Sequence, residues 1–258
     1  MTNIVLGVDI GGTYTKFGLV DIDGNVFHES NIRTDIYDDF EKFVNAIKEK
    51  VFHSYDHNKF NLQGIGIGAP NGNFFSGSIE FAPNLNWKGI VPVSEIFEKH
   101  FSTKTLLTND ANAAAMGEKI YGNATGLNDF IMITLGTGVG SGIVANGKLI
   151  YGHDGLAGEV GHINVFPEGR LCGCGKKGCL ETYASVTGLR KTVIELLENS
   201  DKNSILNGFS FEDLDGEKIH KAACEGDKLA LEAFDYTAKI LGLKLADCVD
   251  FSSPETIF

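Results

Sequence analysis

Clusters of basic residues are missing from this sequence. Its 258 residues include 22 Lys and Arg against 34 Asp and Glu, a formal net charge of −12, and the cations are not gathered into runs. Binding to nucleic acid depends on Lys and Arg that neutralise phosphates. Nucleic acid is therefore not an expected partner.

Long apolar segments are missing too. No run approaches the roughly 18 apolar residues that suggest a membrane-spanning helix, and the chain does not open on a charged segment followed by an apolar one. We therefore expect neither a signal peptide nor a membrane span, and we expect a cytoplasmic protein.

Cysteine is scarce, and its number argues against a disulfide framework. The chain has five cysteines, and three lie close together in the pattern His162-x9-Cys172-x-Cys174-x4-Cys179. Such grouping in a cytoplasmic protein is typical of metal binding. Three thiolates and one imidazole fill a tetrahedral zinc shell and leave no position for water. We therefore expect a structural zinc ion on these four residues, the alternative being three incidental cysteines.

Glycine, by contrast, is abundant, with 32 residues, and it is concentrated in two turns of similar design. The first glycine turn is residues 9–13 and the second is residues 135–142, each between two apolar, strand-like segments. Glycine lets backbone N–H groups converge on an anion, and a Thr hydroxyl adds a donor. Either turn alone is equally well explained as a plain hairpin. Their duplication favours two turns that hold one polyphosphate from both sides.

The duplication also predicts two α/β domains, a small one over 1–108 and a larger one over 109–258 that carries the zinc site. Apolar periodicity predicts strands at 4–10, 17–20, 25–32, 62–68 and 104–108 and a strand meander over 130–151. It predicts helices at 38–52, 92–101, 109–121, 184–198, 216–225 and 228–249. Residues 69–87 are expected to form a long surface loop.

Two further expectations concern the helical segments near the end. Cys224 and Cys248 fall on predicted helices and are expected in the core. In the last helix, the 3.6-residue period predicts one buried stripe, made of Ala230, Phe234, Thr237, Leu241, Leu245 and Val249.

A carboxylate stands at the predicted start of the helix over 109–121. Asn109 or Asp110 fits the N-cap position, and a lone Asp there is most often structural. Helix N-termini also favour negative charge, which keeps a carboxylate ionised. An ionised Asp can accept the proton of an alcohol that attacks phosphorus. We therefore expect Asp110 to be a general base.

Two more carboxylates, Glu159 and Glu181, border the expected zinc site. A metal closed over the site would fix both in place. Carboxylates and amides suit vicinal hydroxyl groups, and the sequence supplies Asn84, Asn109, Asp110, Glu159 and Glu181. Asn86 and Trp87 would extend the wall of a binding site made by these residues. Each residue alone is more typical of solvated surface; together with two phosphate turns they predict a polyol substrate.

These motifs resemble those of the ROK family of bacterial sugar kinases (repressor, open reading frame, kinase), and most of all its glucokinases. The resemblance covers essentially the whole chain and rests on residues 9–13 with Lys16, 134–142, 83–85, 109–112, 158–162 and 172–181. It implies an actin-like, ribonuclease-H-like ATPase of two domains with a cleft between them. It also implies Mg-ATP as cosubstrate, zinc on the matching His and Cys positions, and a homodimer.

The resemblance implies a hexokinase, most simply a glucokinase of glycolysis that phosphorylates the 6-hydroxyl group. Asp110 would be the base. The sugar would be positioned by Asn84, Asn109, Glu159, His162 and Glu181. Phosphate and magnesium would be handled by Asp9, Gly11, Gly12, Thr13, Lys16, Thr137 and Gly138.

Three alternatives stay open at this point. A kinase for N-acetylmannosamine, N-acetylglucosamine or fructose would share these residues. A sugar-responsive repressor of the family would carry a helix-turn-helix ahead of the first glycine turn, which lies close to the start of this chain. An actin-like or chaperone-type ATPase would need neither the zinc site nor the Asn109-Asp110 pair.

The sequence departs from the family pattern at two places. Pro70-Asn71-Gly72 stands where many relatives have Pro-Gly directly, so the loop beside the sugar is expected to differ in shape. Residues 254–258 resemble the opening of a strand that leads, in the family, to a Gly-Gly turn and closing helices. The resemblance implies that this turn and these helices help form the adenosine pocket, and the sequence given stops before them. We therefore expect this chain to bind sugar but to bind ATP poorly.

Overall fold

The structure, a computed structural model, describes residues 1–54, 58–199 and 203–258. The chain forms two compact units: unit 1 is Met1–Asn128 with Gly142–Ala157, and unit 2 is Asp129–Ser141 with Gly158–Phe258. Unit 1 continues past the boundary expected at 108/109, because the helix that follows packs against its strands. An independently folding domain that starts at residue 109 stays a prediction. Within the described ranges, no helix has the length and apolarity needed to cross a membrane.

Unit 1 is built on a five-stranded sheet. The strands between residues 1 and 128 are β1 (Thr2–Ile10), β2 (Tyr14–Val20), β3 (Val26–Arg33), β4 (Phe60–Ala69), β5 (Gly72–Asn73), β6 (Ser78–Glu80), β7 (Ile90–Val91) and β8 (Thr105–Asn109). Its helices are α1 (Phe40–Ser54), α2 (Val93–Phe101) and α3 (Asp110–Tyr121). The large sheet has the order β3-β2-β1-β4-β8, and a small one has the order β5-β6-β7. Strands β1, β4 and β8 are parallel, so their carboxyl ends meet at one edge.

The two faces of the large sheet carry different side chains. One face is apolar, because alternate residues of β1 from Ile4 to Ile10 are buried together with Phe43 of α1 and Phe97 of α2. The other face is lined by small residues, since β4 alternates Ile65 and Ile67 with glycines. A Cβ on Gly68 would lie 3.1 Å from the Cβ of Ala113. The glycines therefore let α3 lie close to the sheet.

The remaining strands are β9 (Phe130–Leu135), β10 (Val139–Ala145), β11 (Lys148–Leu149) and β12 (Thr256–Ile257), in the order β11-β10-β9-β12. The expected strand at 256–257 pairs in parallel with β9. By the unit boundaries, β9 and β12 belong to unit 2 and β11 to unit 1, and β10 crosses the boundary. The other elements of unit 2 are a 3₁₀ turn (Val160–His162), α4 (Glu181–Ala184), α5 (Val186–Glu198), α6 (Gly216–Cys224) and α7 (Lys228–Ser252). Its helices share a core that includes Val193, Ile219, Leu229 and Ala233.

The segment 69–87 is not the surface loop that its Gly, Asn and Pro content predicts. It carries β5 and β6, and it buries Ile79, Leu85 and Trp87. The Trp87 ring lies 4.8 Å from the ring of Phe40 and 4.7 Å from that of Phe43, measured between centroids. These apolar residues are isolated in the sequence and show no period, so only the tertiary packing reveals them as core.

The buried face of α7 also differs from the expected stripe. The buried residues are Leu229, Ala230, Ala233, Ile240 and Cys248, whereas Val249 is 45% exposed. Apolar residues occur on more than one side of this helix, so periodicity alone cannot select the side that packs on α5 and α6. Cys248 is buried as expected, but Cys224 at the end of α6 is exposed.

Candidate functional site

Two acidic residues lie at the carboxyl ends of parallel strands in unit 1. Asp9 pairs in register with Gly68 near the end of β1, and Asp110 directly follows the end of β8. Since β4 runs between these strands, the two backbones are separated by two strand spacings, about 10 Å. This edge is where open α/β sheets bind ligands.

The charges around Asp9 are not balanced. Burial raises the pKa of the Asp9 carboxyl above its ordinary value, the Asp110 carboxylate adds to the rise, and Lys16 opposes it. Lys16 faces Asp9 directly across the β1–β2 hairpin. Two carboxylates that repel each other gain from a bound cation, and hard oxygen donors are those that Mg²⁺ prefers. The residues present therefore fit a magnesium ion.

The first glycine turn lies against the predicted sugar loop. The turn is closed by the Gly11 N–H, which donates to the Tyr14 carbonyl at 3.0 Å. A Cβ on Gly12 would lie only 2.9 Å from the backbone oxygen of Asn84. Glycine is therefore required for this approach. Asn84 and Thr13 are both exposed beside the turn.

The start of α3 fixes the backbone of Asp110 and leaves its side chain exposed. Asn109 is the N-cap, and its Oδ1 accepts from the Ala111 N–H at 2.9 Å. The Asp110 carboxylate accepts from the same N–H at 2.9 Å. The expectation of Asn109 or Asp110 as cap is thus resolved in favour of Asn109, and the carboxylate of Asp110 faces solvent.

In unit 2 the structure brings His162, Cys172, Cys174 and Cys179 together, with ligand atoms all within 4.8 Å of one another. The sulfurs of Cys174 and Cys179 are 3.7 Å apart, as are the Cys172 sulfur and the Nδ1 of His162. A disulfide needs about 2.05 Å between sulfurs. A tetrahedral shell with Zn–S bonds of about 2.3 Å places two sulfurs about 3.8 Å apart. The spacing in this four-residue cluster therefore fits a zinc ion.

The thiols of the cluster differ in their readiness to ionise. Burial raises the pKa of Cys172 to about 12 and also raises the pKa of Cys179. Burial acts on Cys174 in the same direction, but hydrogen bonds from the Lys176 backbone and from the other two thiols lower its pKa overall. A metal that binds thiolates must displace the protons of Cys172 and Cys179.

The imidazole of His162 faces two groups with its two nitrogens. Nδ1 lies near Cys172, and Nε2 lies 3.9 Å from Oε2 of Glu159. A carboxylate beside the second nitrogen is the usual way in which a metal-bound His is oriented. The two roles expected for His162, metal ligand and sugar contact, can therefore use different ring nitrogens.

Glu181 lies between the cluster and the second glycine turn. Its Oε1 accepts from the Cys172 thiol at 3.5 Å, and its Oε2 accepts from the Val139 N–H at 3.2 Å. A Cβ on Gly138 would collide with this carboxylate. The hydroxyl of Thr187 donates to the Thr137 carbonyl at 2.9 Å. Thr187 is the second residue of α5, after the cap Ser185, and nothing in its local sequence predicts this contact.

Two residues expected to extend the sugar wall have other contacts. Trp87 is 5% exposed in the core of unit 1, so its predicted role is wrong. The Asn86 side chain donates to the Asp35 carbonyl at 2.9 Å. Trp87 thus packs on α1, and Asn86 contacts the segment that precedes α1.

Known proteins resemble this chain along almost its whole length. A glucokinase of Halalkalibacterium halodurans is 36% identical over 98% of this chain and 78% of the relative. A xylose repressor of Caldicellulosiruptor bescii is 31% identical over 98% of this chain and 64% of the relative. The crystal structure of a ROK glucokinase from Streptomyces griseus, in complex with glucose and AMPPNP, is 35% identical, with a TM-score of 0.81 over 98% of this chain and 81% of that one.

The likeness to the Streptomyces griseus structure confirms the expected fold class, the actin-like ATPase type of sugar kinase. The profile of the ROK family matches residues 5–258. With relatives that are more than 30% identical over nearly the full chain, the conclusion is direct: this chain belongs to the ROK family.

Proposed function

We propose that this chain is an ATP-dependent sugar kinase that phosphorylates the 6-hydroxyl group of a hexose, with glucose as the preferred substrate. The observation that carries the proposal is the exposed carboxylate of Asp110 at the start of α3. It lies near Asp9, at the sheet edge where β1 leads into the first glycine turn. The glucokinase relatives support the choice of glucose.

The chemistry assigned to Asp110 is proton acceptance. The sugar oxygen attacks the γ-phosphorus, the bond from phosphorus to the bridging oxygen breaks, and ADP leaves with the electron pair. The hydroxyl proton passes to Asp110. Transfer of this type depends mainly on positioning and charge neutralisation, and a general base adds about 10²- to 10⁴-fold.

Sugar recognition is assigned to two sets of polar residues. One set is the amides of Asn84 and Asn109, and the other is the side chains of Glu159, His162 and Glu181. Carboxylates and amides each offer two polar atoms, which matches neighbouring hydroxyl groups. His162 would contact the sugar through Nε2, since Nδ1 belongs to the cluster.

Phosphate binding is assigned to both glycine turns. The residues are Asp9, Gly11, Gly12, Thr13 and Lys16 at the first turn, and Thr137 and Gly138 in the second. Asp9 would hold Mg²⁺, which supplies positive charge to the transferring phosphoryl group. His162, Cys172, Cys174 and Cys179 would hold a structural Zn²⁺.

The wider setting of the proposal follows the family resemblance. We place the protein in the cytoplasm, as a homodimer, at the entry of glucose into glycolysis. Neither nucleic acid nor a membrane is a proposed partner, in keeping with the net charge of −12.

Two other functions use the same residues. A kinase for N-acetylglucosamine, N-acetylmannosamine or fructose differs only in the preferred sugar. A sugar-binding regulator is supported by the xylose repressor relative, but the roles proposed for Asp110 and for the two glycine turns would have no use in it.

The decisive experiment is a panel assay of glucose, N-acetylglucosamine, N-acetylmannosamine and fructose with ATP and Mg²⁺. We expect the highest kcat/KM with glucose, and one ADP formed for each glucose 6-phosphate. A higher kcat/KM with another sugar would reassign the substrate. Calorimetric binding of sugar without turnover of any panel member would favour the regulator.

A further inference from the structure

The second glycine turn is anchored by the segment that follows Cys179. The Val186 N–H donates to the Gly136 carbonyl at 2.9 Å, and the Thr187 hydroxyl donates to the Thr137 carbonyl at 2.9 Å. Glu181 accepts from the Val139 N–H at 3.2 Å. Three anchor points on four consecutive residues leave the turn little freedom to change its backbone conformation.

The segment around His162 contacts the other side of the same turn. A Cβ on Gly161 would collide with the carbonyl oxygen of Val139, so the 3₁₀ turn lies directly against the start of β10. The Ser141 hydroxyl donates to the Gly158 carbonyl and accepts from the Val160 N–H. The Val139 N–H is therefore hydrogen-bonded by the segment after Cys179, and its carbonyl packs against the segment around His162.

The two segments that contact the turn, residues 158–163 and 179–187, meet at the four-residue cluster. The Leu180 N–H donates to the Ile163 carbonyl at 2.9 Å, and Asn164 forms a β-bridge with Cys179. Glu181 follows Cys179 by two residues in the same segment. A metal ion on His162 and Cys179 would tie together the two segments that grip the turn.

We propose that the metal cluster positions the second glycine turn through Thr187 and Glu181, and that metal occupancy thereby sets the affinity for the phosphates of a nucleoside triphosphate. The inference rests on the proposed phosphate role of Thr137 and Gly138. It makes Thr187 a positioning residue, which orients the Thr137 peptide without contacting the nucleotide.

The test compares Thr187→Val with Thr187→Ser and with a matched control, Thr125→Val. Thr125 also donates its hydroxyl to a backbone carbonyl, that of Gly122 at 2.8 Å, but it lies in unit 1 outside the site. Affinities for an unhydrolysable ATP analogue and for glucose are measured separately by calorimetry. Since one hydrogen bond is removed, Thr187→Val is expected to weaken binding of the analogue about 3- to 10-fold and to leave glucose affinity within twofold.

Thr187→Ser keeps the hydroxyl group and is expected to restore the affinity for the analogue. Circular dichroism at the assay temperature verifies that each variant is folded. An affinity of Thr187→Val equal to that of Thr125→Val would overturn the positioning role. So would a failure of the Ser variant to recover binding, because the effect would then not depend on the hydroxyl.

The role of the metal is tested by a cycle of chelation and zinc addition on the parent and on Thr187→Val. If the metal acts through this anchor, chelation weakens analogue binding by the parent, zinc restores it, and the two changes are less than additive. Full additivity, or no effect of chelation, would overturn the coupling. A parent protein that binds no analogue would instead remove the proposed kinase function, and this inference with it.

Discussion

Asp110 is the residue on which the proposed chemistry depends. Asp110→Asn keeps the shape of the side chain but cannot take up the hydroxyl proton. We expect kcat to fall about 10²- to 10⁴-fold while sugar affinity stays within several-fold. Steady-state kinetics and glucose titration of the same preparation measure both quantities.

A matched control for this substitution is Asp215→Asn. Asp215 also stands at the start of a helix, as the N-cap of α6, but it lies outside the site. We expect parental kcat for this variant. A kcat of Asp110→Asn close to that of the control would remove Asp110 from the base role.

Asp9 is expected to lower stability at neutral pH. Its pKa in the folded protein is raised, so ionisation is less favourable there than in the unfolded chain. Its contribution to stability is present below the unfolded pKa and is lost as pH rises through the folded pKa. Without magnesium, Asp9→Asn should therefore raise the thermal unfolding midpoint at pH 7, and this gain should vanish below the ordinary Asp value of 3.8.

Asp21, in the same unit, has a pKa shifted in the opposite direction and should stabilise the protein at neutral pH. Its pKa is lowered by hydrogen bonds from Asn25 and from neighbouring N–H groups. Asp21→Asn should therefore lower the unfolding midpoint at pH 7, an effect that shrinks as pH falls through the folded pKa. If Asp9→Asn instead destabilises the protein at pH 7 as Asp21→Asn does, burial and repulsion by Asp110 do not disfavour the ionised Asp9 as argued.

At the scale of elements, Asn109 is both the N-cap of α3 and a proposed sugar contact, and these two roles can be separated. Ser caps a helix as well as Asn does but lacks the amide proposed to bind sugar. Asn109→Ser should keep parental stability and raise the KM for glucose. Asn109→Ala should raise KM as well and lower the free energy of unfolding by about 1 kcal/mol.

Urea unfolding of the two Asn109 variants, together with glucose kinetics, checks this separation. Equal KM values for Asn109→Ser and the parent would leave Asn109 as a helix cap alone. A large loss of stability in the Ser variant would show that the amide has a contact beyond the Ala111 N–H.

At the scale of the whole molecule, the two units have separate cores, and only unit 2 contains the cluster. Removal of zinc should therefore loosen the segments around residues 158–188 and leave unit 1 unchanged. Sugar affinity should fall about 10- to 100-fold, since Glu159 and Glu181 lose their support. Hydrogen exchange read by mass spectrometry, with and without chelator, locates the change.

Two results would contradict this view of the metal. Metal analysis that finds no zinc in the purified protein would remove the structural role. Exchange that rises equally in α1 and α2 of unit 1 would show that the cluster supports the whole chain.

The sequence by itself determined the features that depend on neighbouring residues. The cap of α3 is local, because it is set by side chains within a few positions. The two glycine turns are visible in the sequence as glycine-rich segments between apolar strands. The four residues of the cluster lie within one short stretch, and the structure brings them together. Family membership followed from these same motifs.

The tertiary structure decided what depends on contacts between distant segments. Asp9 and Asp110 reach the same edge of the sheet only because β1 and β8 both pair in parallel with β4. Trp87 is buried because α1 offers it an aromatic surface, and α7 packs on a side that its apolar pattern does not select. Thr187 is an anchor only because α5 begins beside the second glycine turn. Such pairings are fixed by packing that no local pattern encodes.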